Sequence, residues 1–120
     1  MIITNNDKVY EEFKSDHNIY YKECSFKDIL LYTRDRVHEG YTILTHPLSS
    51  SIKPNETPYK SILISDTKKT LDYKSLMIIE NSLLTYDKFE KDANHAIILN
   101  DRIRDDFKVV DLSIIKSAIF

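Results

Sequence analysis

The sequence predicts an α/β fold in a single domain, 1–120, built on a mainly parallel sheet of about five strands with helices on both faces. Three observations carry this. Short β-branched apolar runs alternate with charged stretches of helical period. The triplet Ile62, Leu63 and Ile64 is continuous, as in a strand covered on both sides. The 120-residue length suits one hydrophobic core.

The elements follow in order. Residues 1–5 are short, apolar and β-branched, hence a strand. In 7–14, Val9, Tyr10 and Phe13 fall at helical spacing. A second strand is expected at 19–23. Ser25 and Asp28 then form an [ST]-x-x-[DE] capping box, and Phe26, Ile29, Leu30, Thr33 and Val37 line one helical face. Gly40, the only glycine, falls where a C′ cap needs positive φ.

Strands are expected at 41–45 and 59–65. A long amphipathic helix follows over 73–90, with Leu76, Ile79, Leu83 and Tyr86 on one stripe and Asp72 as N-cap; Leu71 and Leu76 take the hydrophobic-staple positions. Residues 93–106 fit a helix through Ala96, Leu99 and Ile103, although "AIIL" also fits a strand. Residues 107–112 read as a final strand and 113–120 as a short helix or tail.

Composition excludes several functions. The net charge of −2 and pI near 6.1 argue against nucleic-acid binding, which draws on clustered Lys and Arg. No apolar run approaches the length of a membrane span, and the N-terminus lacks the form of a signal peptide, so a soluble cytoplasmic protein is expected. One cysteine, Cys24, makes an intrachain disulfide impossible. One glycine excludes dinucleotide fingerprints and P-loops, which bring several glycine amides against phosphate; no cofactor is expected. H-E-x-x-H, C-x-x-C and G-x-S-x-G are absent, and no second histidine stands near enough to His46 in sequence to suggest a metal site.

The segment 44–61, "LTHPLSSSIKPNETPYKS", holds every proline. Pro47, Pro54 and Pro58 each fix φ, which stiffens the loop and lowers the entropy lost on binding. Ligands of open α/β sheets settle at the carboxyl ends of strands, which here are polar: Asn5 and Asn6, Glu23 and Cys24, Thr45 and His46, Ser65 and Asp66, Asp111 and Ser113. The candidate binding residues are Asn5, Asn6, Thr45, His46, Ser49, Ser51, Lys53, Asn55, Thr57 and Tyr59. The hydroxyls can donate to an anion, Lys53 can neutralise it, and His46 can serve as acid/base. Against this stands a surface loop that satisfies its own polar groups, with His46 bonded to nearby backbone. The Asn55 to Thr57 glycosylation triplet is discounted for a cytoplasmic chain, "NDRIRDD" reads as a solvated face, and Cys24 reads as the staple partner of Ile29.

The stretches "MIITNN", "LTHPLSSSIKPNETPYKSILIS", "LDYKSLMIIENSLL" and "DFKVVDLSII" together resemble the GrdX family, small proteins encoded with the glycine, sarcosine and betaine reductase systems of amino-acid-fermenting anaerobes. The resemblance spans nearly the whole chain. It implies an accessory or regulatory role in that metabolism and supplies no catalytic residues. Family members often carry a glycine in the serine run, where this chain has Ser50. Reductase chemistry depends on selenol and thiol groups, which one cysteine does not supply as a dithiol.

The leading expectation is thus a non-catalytic protein that holds a small anionic ligand, or a protein of the reductase complex, through the 45–59 loop. The alternative is a small hydrolase or isomerase acting on an acyl phosphate or amino-acid derivative, with His46 as acid/base. A third reading is a homodimer sealed over the apolar C-terminal end.

Overall fold

The computed structural model describes residues 1–49, 56–92 and 100–119. Its elements run β1 (Ile2–Thr4), α1 (Asp7–Phe13), β2 (Ile19–Tyr21), α2 (Phe26–His38), β3 (Ser61–Leu63), α3 (Tyr73–Asp92) and α4 (Asp101–Ile119). The sheet order is β2-β1-β3: β1 pairs with β2 in parallel and with β3 antiparallel. An isolated antiparallel bridge joins Ile43 to Ile64. The expected five-stranded, mainly parallel sheet is therefore corrected to a three-stranded sheet with one parallel and one antiparallel pairing, and the isolated bridge adds a second antiparallel contact at its edge.

Two segments account for the difference. Residues 41–45 run beside β3, but hydroxyls intercept the ladder. The Leu63 amide donates to Thr45 Oγ1 at 2.9 Å, the Thr42 amide to Ser65 Oγ at 2.9 Å and the Ile43 amide to Ser75 Oγ at 2.9 Å. Side chains thus satisfy amides that a regular strand would pair with carbonyls. Residues 107–112, expected as a strand, lie inside α4. Strand alternation would put Phe107 and Val109 on one face. Instead Phe107 is half-buried and Val109 is exposed, while Asp111 and Ile115, one helical turn apart, are both buried. Packing against α1 and β3 overrides the β propensity of Val109, Val110, Ile114 and Ile115. Residues 101–106 are also helical; 93–99 of the expected 93–106 helix lie outside the described residues.

The other helix boundaries have visible causes. The Asn6 side chain accepts from the Lys8 amide and caps α1. In α2 the capping box is complete: Ser25 Oγ accepts the Asp28 amide at 3.0 Å, and Asp28 Oδ2 accepts the Ser25 amide at 3.4 Å. α2 ends in a Schellman pair, the Gly40 amide donating to the Val37 carbonyl and the Tyr41 amide to that of Arg36. Gly40 has φ of 110°, and a Cβ there would fall on the Lys69 carbonyl, so two constraints select glycine. Asp72 Oδ2 accepts from the Ser75 amide and hydroxyl at the start of α3.

Helices cover both faces of the sheet. Ile3, Ile62 and Ile64 pack with Phe26, Ile29, Leu30 and Val37 of α2 and Ile79 and Leu83 of α3. On the other face Ile2 packs with Val9 and Phe13 of α1 and Ile115 of α4. The register explains this division: Ile2 is opposite Leu63 and Ile3 opposite Ile62, so each neighbouring pair presents its side chains to one face.

Candidate functional site

Because β3 runs against β1, one end of the sheet gathers the carboxyl ends of β1 and β2 and the amino end of β3. Asn5, Asn6, Glu23, Cys24, Tyr59 and Lys60 follow or precede these strand ends. The same antiparallel turn sends Ser65 and Asp66 to the opposite end, away from the grouping expected of a parallel sheet. α4 crosses the polar end and presents Arg104, Lys108 and Asp111 at i, i+4 and i+7, one helical face.

Beneath this end lies a buried polar network. Asp111, 6% exposed, accepts the Ser61 amide at 3.0 Å, the Ser61 hydroxyl at 2.7 Å and the Asn6 side-chain amide at 3.0 Å. Thr4 Oγ1 lies 2.7 Å from Ser61 Oγ and accepts the Asn6 amide at 3.0 Å. With the Ser61 proton given to the Asp111 carboxylate, Thr4 is the donor to Ser61. Asn6 also donates to the Lys108 carbonyl. Asn5 is spent in the same way, donating to the carbonyls of Cys24 and Pro58 and accepting the Lys60 amide. These contacts hold the strand ends together.

Lys60 is only 3% exposed; its ammonium donates to the Ser49 carbonyl at 3.0 Å. Burial pushes its pKa below the ordinary lysine range, with the negative charge of Asp111 opposing that shift. Cys24 moves the other way: burial, then the nearby Asp28 carboxylate, push its thiol up, so little thiolate forms near neutrality. Cys24 packs against the core cluster that contains Ile29, the neighbourhood expected of a staple residue.

Above the network is a cleft of about 340 Å³ lined by Asn5, Asp7, Tyr21, Glu23, Cys24, Pro58, Tyr59, Arg104 and Lys108. Lys108 pairs with Asp7 at 3.0 Å, and its ammonium stands 5.4 Å from the centre of the Tyr59 ring. The hydrogen bond to Asp7 holds the Lys108 pKa above its usual value. Burial raises the Tyr21 pKa, and the charges of Glu23 and Asp7 raise it further. Arg104 and Glu23 each line the cleft, and neither has an ion pair among the described residues.

A larger cleft, about 680 Å³, opens at the other end of the sheet beside Met1, His17 and Asp66. Three of its charged groups are already engaged, Lys14 with Glu11 and the Met1 ammonium with Asp66, both pairs at 2.8 Å. Asp66 is held below the usual carboxylate range by that ammonium. The smaller cleft differs in holding Arg104, a cation with no acidic partner among the described residues, whereas Lys14 and the Met1 ammonium of the larger one are both paired.

Of the sequence candidates, Asn5 and Tyr59 line this cleft, and Asn6 lies in the network below. Thr45 accepts the Leu63 amide and Thr57 that of Tyr59. His46 is exposed, its Nδ1 accepting the Leu48 amide at 3.1 Å, and it lines neither cleft. Ser49 Oγ donates to the His46 carbonyl. Ser51, Lys53 and Asn55 lie outside the described residues.

Sequence reasoning passes over Arg104, Lys108, Tyr21 and Lys60. The signal for the first two is their four-residue spacing, hidden once 107–112 is taken as a strand. No helix among the described residues is long and apolar enough to cross a membrane, and none of their side chains form a cluster suited to a metal ion.

No curated protein matches the chain. No solved structure matches it either. Over residues 1–120 it matches the family model described as GrdX-like protein.

Proposed function

The chain belongs to the GrdX family, and on that premise we propose that it is a non-catalytic binding protein that holds a small anionic ligand in the cleft at the carboxyl ends of β1 and β2. Its role is accessory to glycine, sarcosine and betaine reductase metabolism, in the cytoplasm, and the ligand state of the cleft is what a reductase component would read. The single observation that carries this reading is Arg104, a cleft-lining guanidinium left without an acidic partner among the described residues. A planar fork of donors suits a carboxylate or phosphate, and Tyr59 with Pro58 closes the side where the proline-rich loop ends.

His46 gives the acid/base alternative no comparable support. Its Nδ1 lone pair is used by its own loop, and its side chain is exposed and lines neither cleft. A general base must reach the proton it removes from a bound substrate.

Calorimetric titration of the full chain with acetate, inorganic phosphate and acetyl phosphate tests the proposal. At least one should bind, with Arg104→Ala weakening it about tenfold or more, the scale of one charge-assisted contact. His46→Ala should leave that affinity unchanged. Absence of binding by all three, or equal binding by Arg104→Ala, refutes the anion site.

A further inference from the structure

The cleft carries more than a site for negative charge. Its lining includes two acids, Asp7 and Glu23, as well as two bases, Arg104 and Lys108, so its formal charges cancel. Asp7 and Lys108 neutralise one another at 3.0 Å. That leaves one cation and one anion, Arg104 and Glu23, in the same cleft with no ion pair between them. Tyr21 and Tyr59 also line it.

A simple anion drawn to Arg104 also meets the field of Glu23, which lines the same cleft, so part of the attraction is lost and such an anion is held only weakly. A cation drawn to Glu23 meets the converse penalty from Arg104. Both penalties vanish for a molecule that carries the two charges itself. Resting on the anion-site reading, we infer that the occupant is a small zwitterion with an ammonium and a carboxylate group, of the α-amino acid class.

Its carboxylate meets the Arg104 guanidinium, and its ammonium meets Glu23. The tyrosines act as walls: the Tyr59 ring already faces the Lys108 ammonium at 5.4 Å, and the Tyr21 ring stacks on Tyr10 with centroids 5.2 Å apart. The volume, about 340 Å³, is at the small end of ligand cavities and favours a compact molecule over a peptide. Specificity in this arrangement comes from repulsion of the half-charged analogues as much as from attraction of the whole.

The test compares glycine, the smallest such zwitterion, with its two halves, acetate and methylammonium, by titration calorimetry on the full chain at fixed ionic strength. Glycine should bind at least about tenfold tighter than either half. Glu23→Gln should weaken glycine about tenfold and strengthen acetate, since removing the acid removes its repulsion; Arg104→Gln should weaken glycine and strengthen methylammonium. Both residues are exposed, so the folded state is checked directly by circular dichroism. Acetate binding as tightly as glycine, or weakening rather than strengthening with Glu23→Gln, overturns the zwitterion inference while leaving the anion site standing. Binding of none of the three overturns the inference; failure of phosphate and acetyl phosphate as well removes the anion site.

Discussion

At Asp111 both carboxylate oxygens are engaged, Oδ1 by the Ser61 amide and Oδ2 by the Ser61 hydroxyl and Asn6. Asp111→Asn keeps the shape but sets an amide donor against the Asn6 donor. The expected loss is about 1–3 kcal/mol in urea denaturation, because a buried polar group is left unmatched. Lys60 gives a pH signature. Its folded pKa is lowered from 10.5, so above that folded value the unfolded chain holds more protons on this group. The cost of burying the ammonium is full below the folded pKa and fades as pH rises towards the unfolded value. Stability of the wild type relative to Lys60→Met should therefore increase with pH through that alkaline window, up to about 10.5. A difference constant across the window would mean that the amine is not desolvated. The sequence marks Asp111 only as a polar residue at the end of an expected strand and Lys60 as one of many lysines; burial distinguishes them, and burial is a property of the fold.

At the scale of elements, legibility depends on whether a local rule or a distant partner decides. The Ser25 to Asp28 box and the glycine after Val37 are read directly, because a cap needs only neighbours a few residues away. Ser25→Ala should lower stability by about 1 kcal/mol in thermal or urea unfolding, the usual worth of an N-cap hydroxyl. α4 is decided at a distance: Val109, Val110, Ile114 and Ile115 suit a strand locally, and the helix wins because it seats Ile115 against Ile2, Val9 and Phe13. The 41–45 segment fails as a full strand for a comparable reason. Ser65, Ser75 and Thr45 are ordinary hydroxyl residues until the fold sets them beside backbone amides. The cleft inherits both limits, since half of its charge comes from α4. Asn5 and Tyr59 were accessible as loop residues beside strands; Arg104 and Lys108 required the helix.

Across the whole molecule, the sheet is a thin layer between two apolar clusters, and neither cluster is built from adjacent residues alone. The smaller one joins Ile2 to Ile115, so its loss should undo the whole fold. Ile115→Ala is expected to cost about 2–5 kcal/mol, a large share of the stability of a domain this size. Helix content by far-ultraviolet circular dichroism and tyrosine environment by near-ultraviolet dichroism should still change at the same urea concentration; separated midpoints would show that the two layers unfold independently.

The Asp111 carboxylate bonds Ser61, fifty positions earlier, and Asn6, 105 earlier. A chain emerging from the ribosome thus exposes these hydroxyl and amide donors, and the apolar side of Ile2, long before the segment that covers them exists. Both stay open until α4 has been made, so the order of synthesis leaves this side of the sheet unsealed while every earlier element is already present.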